Sequence, residues 1–244
     1  MGRTIVVGDV HGCARELERL LELLAIARGD RVLFVGDLVV RGPSPNRVLR
    51  LVREVGGVAA RGNHEGRLLR WRELFRHKPP KIAELSARDL RVAENKYLRR
   101  TAEDLDDAGW TQLEHMPLWI FVPEQELLVV HAGLVPGVPL KKQTERTLLY
   151  VRGIDEHGAP TERRDAGEPW GKRYAGPPHV VFGHNALAEP QLHPWATGLD
   201  TGCVYGGRLT ALVLDAEEPV PRTSIARKKR LVSVPARRAY APMK

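Results

Sequence analysis

The side chains best suited to chemistry lie in three short polar blocks within the first quarter of the chain. The blocks read GDVHG at residues 8–12, GDLVVRG at 36–42 and GNHE at 62–65. They supply carboxylates, an amide and imidazoles, which are the oxygen and nitrogen donors that bind divalent metals. A carboxylate shared by two cations and flanked by imidazoles makes a two-metal site, which can clamp the oxygens of a phosphoryl transfer. The blocks therefore predict metal-assisted phosphoryl chemistry.

Each block follows a short apolar run, which places it at the end of a predicted strand. The runs are TIVV at 4–7, RVLFV at 31–35 and GVAA at 57–60. Between them, residues 14–27 and 48–55 have the apolar spacing of amphipathic helices. Strands joined through helices form a parallel sheet, and ligand-bearing loops gather at the carboxyl ends of its strands. We therefore expect the three blocks to meet at one edge of a sheet.

The rest of the chain is predicted to add a helical region and further strands. Residues 66–118 are rich in Arg, Lys, Glu and Leu, and we interpret them as helices laid over the site. Residues 136–178 are rich in Gly, Pro and charge, which predicts a loop with one short helix near Glu145–Tyr150. Two histidines of this half, His131 and His184, follow apolar runs as the earlier blocks do. Strand signals are found at residues 118–122, 126–130, 179–182 and 208–214.

The positive charge of the chain is concentrated at its C-terminal end. The 244 residues carry a formal charge of +8, and residues 222–244 contain eight basic residues and no acidic one. The remaining 30 basic residues equal the 30 acidic ones. We therefore divide the chain into one domain at 1–221 and a basic tail at 222–244, which we expect to be flexible. Weak attraction to a polyanion such as RNA is the alternative interpretation of the tail.

Composition also indicates where such a chain would work. The sequence has no apolar run near the roughly 20 residues that span a bilayer, and it opens on a strand rather than on a signal segment. Cys13 and Cys203 are too few for a disulfide framework. These observations predict a cytoplasmic protein without membrane contact.

The order of the motifs resembles that of a known family. The three blocks are followed by HAGL at 131–134 and by a late Gly-His at 183–184. This pattern is similar to that of the calcineurin-like metallophosphoesterases, in the branch shared by phosphoprotein phosphatases and symmetrical diadenosine tetraphosphatases. The resemblance implies a four-layer α/β/β/α sandwich with residues 66–118 as a helical insertion over the active site. It also implies two divalent metal ions, Mn²⁺ first, with Co²⁺, Fe, Ni²⁺ and Zn²⁺ as alternatives.

The resemblance assigns a role to each motif residue. It makes His64 the proton donor to the leaving oxygen, and it makes Arg41 and Arg152 phosphate-binding residues. Of the metal ligands, the first two in the chain would hold one ion, Asp37 would bridge both, and the last three would hold the second ion. The six implied metal ligands are Asp9, His11, Asp37, Asn63, His131 and His184.

The second block separates the branches of this family. Protein phosphatases carry Asp before the Arg-Gly of that block, where this chain has Val40. The valine, Cys13 and the segment at 199–212 are similar to the diadenosine tetraphosphatases, and Asp200 could support His64 in place of the missing acid. We therefore predict in-line hydrolysis of diadenosine tetraphosphate or a related nucleoside polyphosphate, with symmetrical cleavage to ADP.

Two other functions remain open on the sequence alone. One is a serine/threonine protein phosphatase, and the other is a metal-binding or RNA-binding scaffold without catalysis. The remaining histidines lack a motif, and we interpret all of them as structural or exposed: His77, His115, His157, His179 and His193.

Overall fold

Two five-stranded sheets form the centre of the molecule. The structure is a computed structural model, which describes residues 2–76 and 81–243. Three strands of the first sheet, at residues 4–7, 31–34 and 58–59, run parallel, with Thr4 opposite Arg31 and Leu33 opposite Val58. The other two strands of this first sheet are antiparallel to their neighbours. In spatial order the first sheet contains β13 (Leu231–Pro235), β12 (Arg208–Leu214), β1 (Thr4–Val7), β2 (Arg31–Phe34) and β3 (Val58–Ala59).

The second sheet has a parallel centre and antiparallel edges. In spatial order it contains β10 (Gln191–Leu192), β11 (Ala196–Gly198), β9 (His179–Phe182), β5 (Leu127–Val130) and β4 (Trp119–Val122). A third, small sheet holds β6 (Gly153–Ile154) between β7 (Pro160–Thr161) and β8 (Glu168–Pro169). It lies in the segment that we predicted as loop, because strands of two residues are too short to show an alternating pattern.

The helices cover the outer faces of the two large sheets. Those of the first half are α1 (Ala14–Leu24), α2 (Pro45–Glu54), α3 (Asn63–Phe75), α4 (Ala87–Ala93), α5 (Lys96–Asp104) and α6 (Asp107–Glu114). Those of the second half are α7 (Glu145–Tyr150), α8 (Trp170–Arg173) and α9 (Ser224–Lys228). In the described ranges, no helix is both long enough and apolar enough to cross a membrane.

Alternation along the strands accounts for the layers. In β1, Ile5 and Val7 pack with the helices, whereas Val6 packs between the two sheets. In β5, Val129 faces the same space between the sheets, and Val130 packs on the other face beside α7 and α8. Since both faces of each central strand are covered, the strands are apolar throughout. The four-layer α/β/β/α sandwich is confirmed.

The predicted helical insertion consists of α3 to α6. It packs against α2, and Leu68, Leu98 and Leu113 belong to the same buried cluster as Leu49 of that helix. The first helix begins at Asn63, before the boundary that we placed at residue 66. The third polar block therefore forms the first turn of a helix.

The prediction that residues 222–244 form a flexible tail is wrong for much of this segment. β13 completes the first sheet by pairing with β12 from Leu231↔Leu212 to Pro235↔Arg208. Arg227 is buried and donates to the carbonyl oxygens of Pro221 and Arg222, each at 2.7 Å. The segment forms a strand although it is basic, because its apolar residues pair with β12 and complete the edge of the sheet.

A buried carboxylate of α1 holds the residues that follow β13. Oε1 of Glu16 accepts hydrogen bonds from the backbone N–H of Arg237 at 2.9 Å and from the hydroxyl of Tyr240 at 2.8 Å. The backbone N–H groups of Tyr240 and Ala241 donate to the carbonyl oxygen of Val204. The C-terminal arm, residues 231–243, is therefore attached to the domain along its length. A role in RNA contact stays a prediction.

Candidate metal and phosphate site

The sequence-predicted site residues come from both large sheets. Asp9 and Asp37 follow β1 and β2, and Asn63 and His64 form the first turn of α3. The second sheet supplies His131 directly after β5, and His184 lies two residues beyond β9. Because the parallel strands of both sheets end on the same side, the blocks meet where the two sheets face each other.

Asp37 stands at the centre of two groups of potential ligands. Its Oδ1 accepts the backbone N–H of His64 at 2.9 Å. Its Oδ2 lies 3.5 Å from Nε2 of His11 and 3.5 Å from Nε2 of His131. One group contains His11, Asp37 and His64, the other Asp37, His131 and His184, and the candidate ligand atoms within each group lie within 4.8 Å of one another. The carboxylate is thus placed to serve two cations.

The donor atoms around Asn63 fit a cation. The ring of His131 donates from Nδ1 to the carbonyl oxygen of Val35 at 3.1 Å, which leaves the lone pair on Nε2. That nitrogen lies 2.9 Å from Oδ1 of Asn63, and Nδ1 of His184 lies 3.1 Å from the same oxygen. An imidazole lone pair facing an amide oxygen is unfavourable unless a cation or proton lies between them. Asn63, His131 and His184 therefore have the arrangement of metal ligands.

Asp9 lies deeper than the other predicted ligands. Both of its oxygens accept the backbone N–H of His184, at 3.2 and 3.1 Å, and the residue is buried. A Cβ at position 183 would come within 1.9 Å of Oδ1, so only glycine allows the chain after β9 to pass this carboxylate. Gly183 thus allows the loop after β9 to pack directly against Asp9, which follows β1 in the other sheet.

Burial sets the charges of the site. It lowers the pKa of His11, His64 and His184, and it lowers the pKa of His131 to about 4. These rings are neutral near pH 7, and the neutral ring is the form that binds metals. Burial also raises the pKa of Asp9 and that of Asp37. Buried carboxylates of this kind gain from a nearby cation, so the electrostatics agree with the donor geometry.

His64 has a different support from the one that the sequence suggested. Its ring packs edge-on against His11, with ring centroids 5.0 Å apart. Nδ1 of His64 is buried and has no hydrogen-bond partner within residues 2–76 and 81–243, and Asp200 instead accepts the backbone N–H of Gly202 at 3.1 Å. The suggestion that Asp200 supports His64 by a hydrogen bond is wrong in this structure. Packing, rather than an acid, orients the ring.

The second block follows a strained path beside the site. Asp37, Val40 and Arg41 have φ angles of 49°, 70° and 76°, in the left-handed region that a valine rarely adopts. Strain of this kind is kept where surrounding contacts enforce it, often at functional sites. Here it turns the side chain of Arg41 toward the ligands, and Nη1 of Arg41 donates to Nε2 of His11 at 3.2 Å.

A polar cleft of about 330 Å³ opens above the ligands. Both arginines that the family resemblance assigned to phosphate, Arg41 and Arg152, line it, as does His64. Arg152 is partly buried, and its Nη1 donates to Oδ1 of Asn185 at 2.6 Å. Further residues at the cleft, which the sequence did not single out, include Arg164, Tyr150 and Tyr205. The cleft can hold a phosphate between the ligands and several guanidinium groups.

Glu65 is the main site residue for which the sequence predicted no role. It is fully buried, and its carboxylate accepts the backbone N–H groups of Asp37 at 2.8 Å, Val39 at 3.2 Å and Gly62 at 2.9 Å. It therefore ties the second block to the third. A glutamate at the third position of a helix is the available sequence signal, since it can accept the N–H at the start of that helix.

The histidines without a motif that the structure describes lie away from the cleft. His179 is buried, with Nε2 2.9 Å from the hydroxyl of Thr197. His115 and His157 are exposed, and His193 is half-buried. His77 lies outside the described residues.

The fold defines the class of this protein as a metallophosphoesterase. The calcineurin-like phosphoesterase family matches residues 2–213, and the chain belongs to this family. Among curated relatives, the bis(5'-nucleosyl)-tetraphosphatase PrpE (asymmetrical) of Oceanobacillus iheyensis is 30% identical over 221 residues, covering 84% of this chain and 86% of that protein. The protein of the same name from Bacillus anthracis is 31% identical, covering 85% and 88%.

Solved structures extend the same relationship. The crystal structure of a protein described as a putative diadenosine tetraphosphatase is 34% identical in sequence to this chain and has a TM-score of 0.76. The match covers 96% of this chain and 94% of that one. A protein serine/threonine phosphatase from Saccharomyces cerevisiae is 16% identical, with a TM-score of 0.55, and covers 96% of this chain and 79% of that one. The second likeness shows the fold alone.

Proposed function

We propose that this protein hydrolyses a phosphoanhydride bond of diadenosine tetraphosphate or a related nucleoside polyphosphate. The observation that carries the proposal is Asp37, a single carboxylate between two groups of histidines at the floor of an arginine-lined cleft. Such a floor suits two divalent cations, and such walls suit a chain of phosphates. The names of the relatives support a dinucleoside tetraphosphate as substrate.

The six predicted ligands would hold two divalent ions, with Mn²⁺ as the first choice: Asp9, His11, Asp37, Asn63, His131 and His184. When bound, the ions would neutralise phosphate charge and supply a water of lowered pKa as the nucleophile for in-line attack. Arg41 and Arg152 would donate to phosphate oxygens from the walls of the cleft.

His64 would carry the proton that the leaving phosphate oxygen needs. Burial lowers the pKa of His64 in the free protein, and Arg41 adds to this effect.

The bond that is cleaved distinguishes two reactions of the same substrate. The family resemblance in the sequence predicted symmetrical cleavage to two ADP molecules. The relatives above are named asymmetrical, and this name supports cleavage to ATP and AMP. We therefore propose the asymmetrical reaction, for which the metal and phosphate residues have the same roles.

Product analysis tests the proposal. Purified protein is incubated with diadenosine tetraphosphate and Mn²⁺, and the nucleotides are separated by anion-exchange chromatography. Equal amounts of ATP and AMP are the expected result, with at least about 100-fold slower turnover in the Asp37→Asn variant. Asp165→Asn, at an exposed site outside the cleft, is the matched control. Efficient phosphate release from phosphoserine peptides without turnover of the dinucleotide would overturn the proposal. Formation of two ADP molecules would instead show that the cleavage is symmetrical.

A further inference from the structure

A second cavity of about 440 Å³ adjoins the cleft. The two spaces share three lining residues, Arg67, Tyr150 and Glu162. Beyond this junction, the second cavity is bounded by α4 and α7, which contribute Arg88, Arg91 and Arg146 among other residues. A molecule longer than a single nucleotide can therefore extend from the metal ligands into this space, which we call the arginine groove.

Charge in the arginine groove favours an anion. Four arginines line it, against two acids, Glu94 and Glu162. Nε of Arg146 is 2.5 Å from Oε1 of Glu162, so one arginine and one acid neutralise each other at the junction. In the described part of the chain, Arg88 and Arg91 form no ion pair with a carboxylate, and both are exposed.

Four arginines of the neighbouring helices of the insertion are instead paired with carboxylates. Arg70 pairs with Glu73 and Asp89 at 2.7 and 2.8 Å, and Arg72 pairs with Glu114. Arg99 lies 2.9 Å from Glu103, and Arg100 lies 4.0 Å from Asp104. The unpaired arginines of α4 are thus concentrated at the groove, where a bound anion would be their partner.

The junction adds an aromatic surface. The guanidinium of Arg67 lies over the ring of Tyr150, 5.5 Å from its centroid. An arginine held on an aromatic ring keeps its donors free for phosphate oxygens while the ring limits its motion. Arg67 therefore lies where a polyphosphate chain would pass from the cleft into the groove.

We propose that the arginine groove binds the part of the substrate beyond the cleaved bond, namely the distal phosphates and the second nucleoside. The groove thereby selects dinucleoside polyphosphates over short phosphoesters, which fill only the cleft above the metal ligands. This inference rests on the proposed function. Glu162 limits the affinity of the groove, because it neutralises Arg146 and places a negative charge on the route of the phosphate chain.

A double variant of α4 tests the contact. In Arg88→Ala/Arg91→Ala, KM for diadenosine tetraphosphate is expected to rise about tenfold or more, since each charge-assisted contact to phosphate is worth up to about tenfold in affinity. The kcat is expected to stay within about twofold, and kcat/KM for p-nitrophenyl phosphate is expected not to change. The matched control is Arg99→Ala/Arg100→Ala, which removes the same charge from the same insertion outside the groove.

A second variant is expected to act in the opposite direction. Glu162→Gln removes the acid at the junction and releases Arg146, so KM for the dinucleotide is expected to fall severalfold while KM for p-nitrophenyl phosphate falls less. Thermal melting of every variant shows whether its fold is intact. The opposite signs of the two effects separate a specific contact from a general loss of stability.

The outcomes distinguish the groove from the proposed function. If the unaltered protein hydrolyses p-nitrophenyl phosphate but not the dinucleotide, the proposed function is overturned. If the dinucleotide is hydrolysed and both double variants change KM equally, then only long-range attraction acts, and the inference about the groove is wrong. The same conclusion follows if the α4 variant changes KM for the short substrate by the same factor.

Discussion

At the residue scale, the candidate site depends on carboxylates that are removed from water. Asp37 presents one oxygen to two imidazoles, and Glu65 fixes the loop that carries Asp37 by accepting three backbone N–H groups. The first residue would contact the ions, whereas the second acts by positioning the first. Both lie at the ends of strands or at the start of a helix, where backbone donors are unsatisfied.

Glu65→Gln tests this positioning role. Glutamine has one acceptor oxygen, so it cannot serve the N–H groups of Asp37, Val39 and Gly62 in the same way, and its amide N–H₂ would face a backbone donor. We expect the free energy of unfolding to fall by about 1–3 kcal/mol, together with a loss of activity. Urea denaturation followed by circular dichroism measures the change, with Glu73→Gln, on the exposed face of the same helix, as the control. Equal stability of the two variants would contradict the assignment.

At the element scale, the C-terminal arm is part of the sheet and not an appendage. β13 covers one edge of β12, and the residues that follow β13 are held by Glu16 of α1. The C-terminal arm is therefore ordered despite its basic composition. The apolar side chains of β13 and the buried carboxylate of Glu16 hold it on the domain.

Tyr240→Phe isolates the contact that ends the arm. The change removes the hydroxyl that donates to Oε1 of Glu16 at 2.8 Å and keeps the ring. Because hydrogen bonds to charged groups are the stronger class, we expect the free energy of unfolding to fall by about 2 kcal/mol. Differential scanning calorimetry measures the shift, and Tyr97→Phe is the matched control, since the Tyr97 hydroxyl has no hydrogen bond within the described ranges. A shift no larger than that of the control would show that the arm is held by packing alone.

At the scale of the whole molecule, much of the architecture could be predicted because its signals are local. The runs that end in the three blocks, and the strands at 179–182 and 208–214, lie where the sequence placed them. Parallel strands with both faces buried must be apolar, so their pattern is visible without tertiary information. The same locality explains why the motif residues could be assigned to one site.

Features that depend on distant parts of the chain escaped the sequence. β10 and β11 are two and three residues long, and β12 pairs with β1 from the opposite end of the chain. The positive φ of Val40 is enforced by its surroundings and contradicts the preference of valine. The arginine groove forms only when α4 and α7 meet, so no single stretch of sequence records it.

The stability of the molecule toward acid should depend on an ion pair that closes the first crossover. Arg3 donates to Asp30 with 2.6 Å between Nη2 and Oδ2, and this hydrogen bond lowers the pKa of Asp30 to about 2. A depressed folded-state pKa stabilises the protein above the ordinary pKa of aspartate, and this contribution is lost as the pH falls toward 2. We therefore expect Asp30→Asn to be less stable than the parent at pH 7, with the difference shrinking between about pH 4 and 2.

Urea unfolding of the two proteins at several pH values measures this difference. Asp165→Asn, at an exposed site, controls for the loss of a carboxylate. A difference that does not change with pH would show that packing, and not charge, accounts for the effect of Asp30.

The division of the ligands between two sheets has a mechanical consequence. One sheet provides the loops of Asp9 and Asp37, and the other provides His131 and His184, while mainly apolar contacts hold the two sheets together. Ions bound between the two sheets would hold ligands from both of them, so the binding free energy of the ions would add to the free energy of unfolding. An ion at 100 times its Kd adds about 2.7 kcal/mol. EDTA should then lower Tm, Mn²⁺ should restore it, and Asp37→Asn should respond less. The candidate site would thereby also stabilise the fold, and the concentration of free metal ion would set part of the free energy of unfolding.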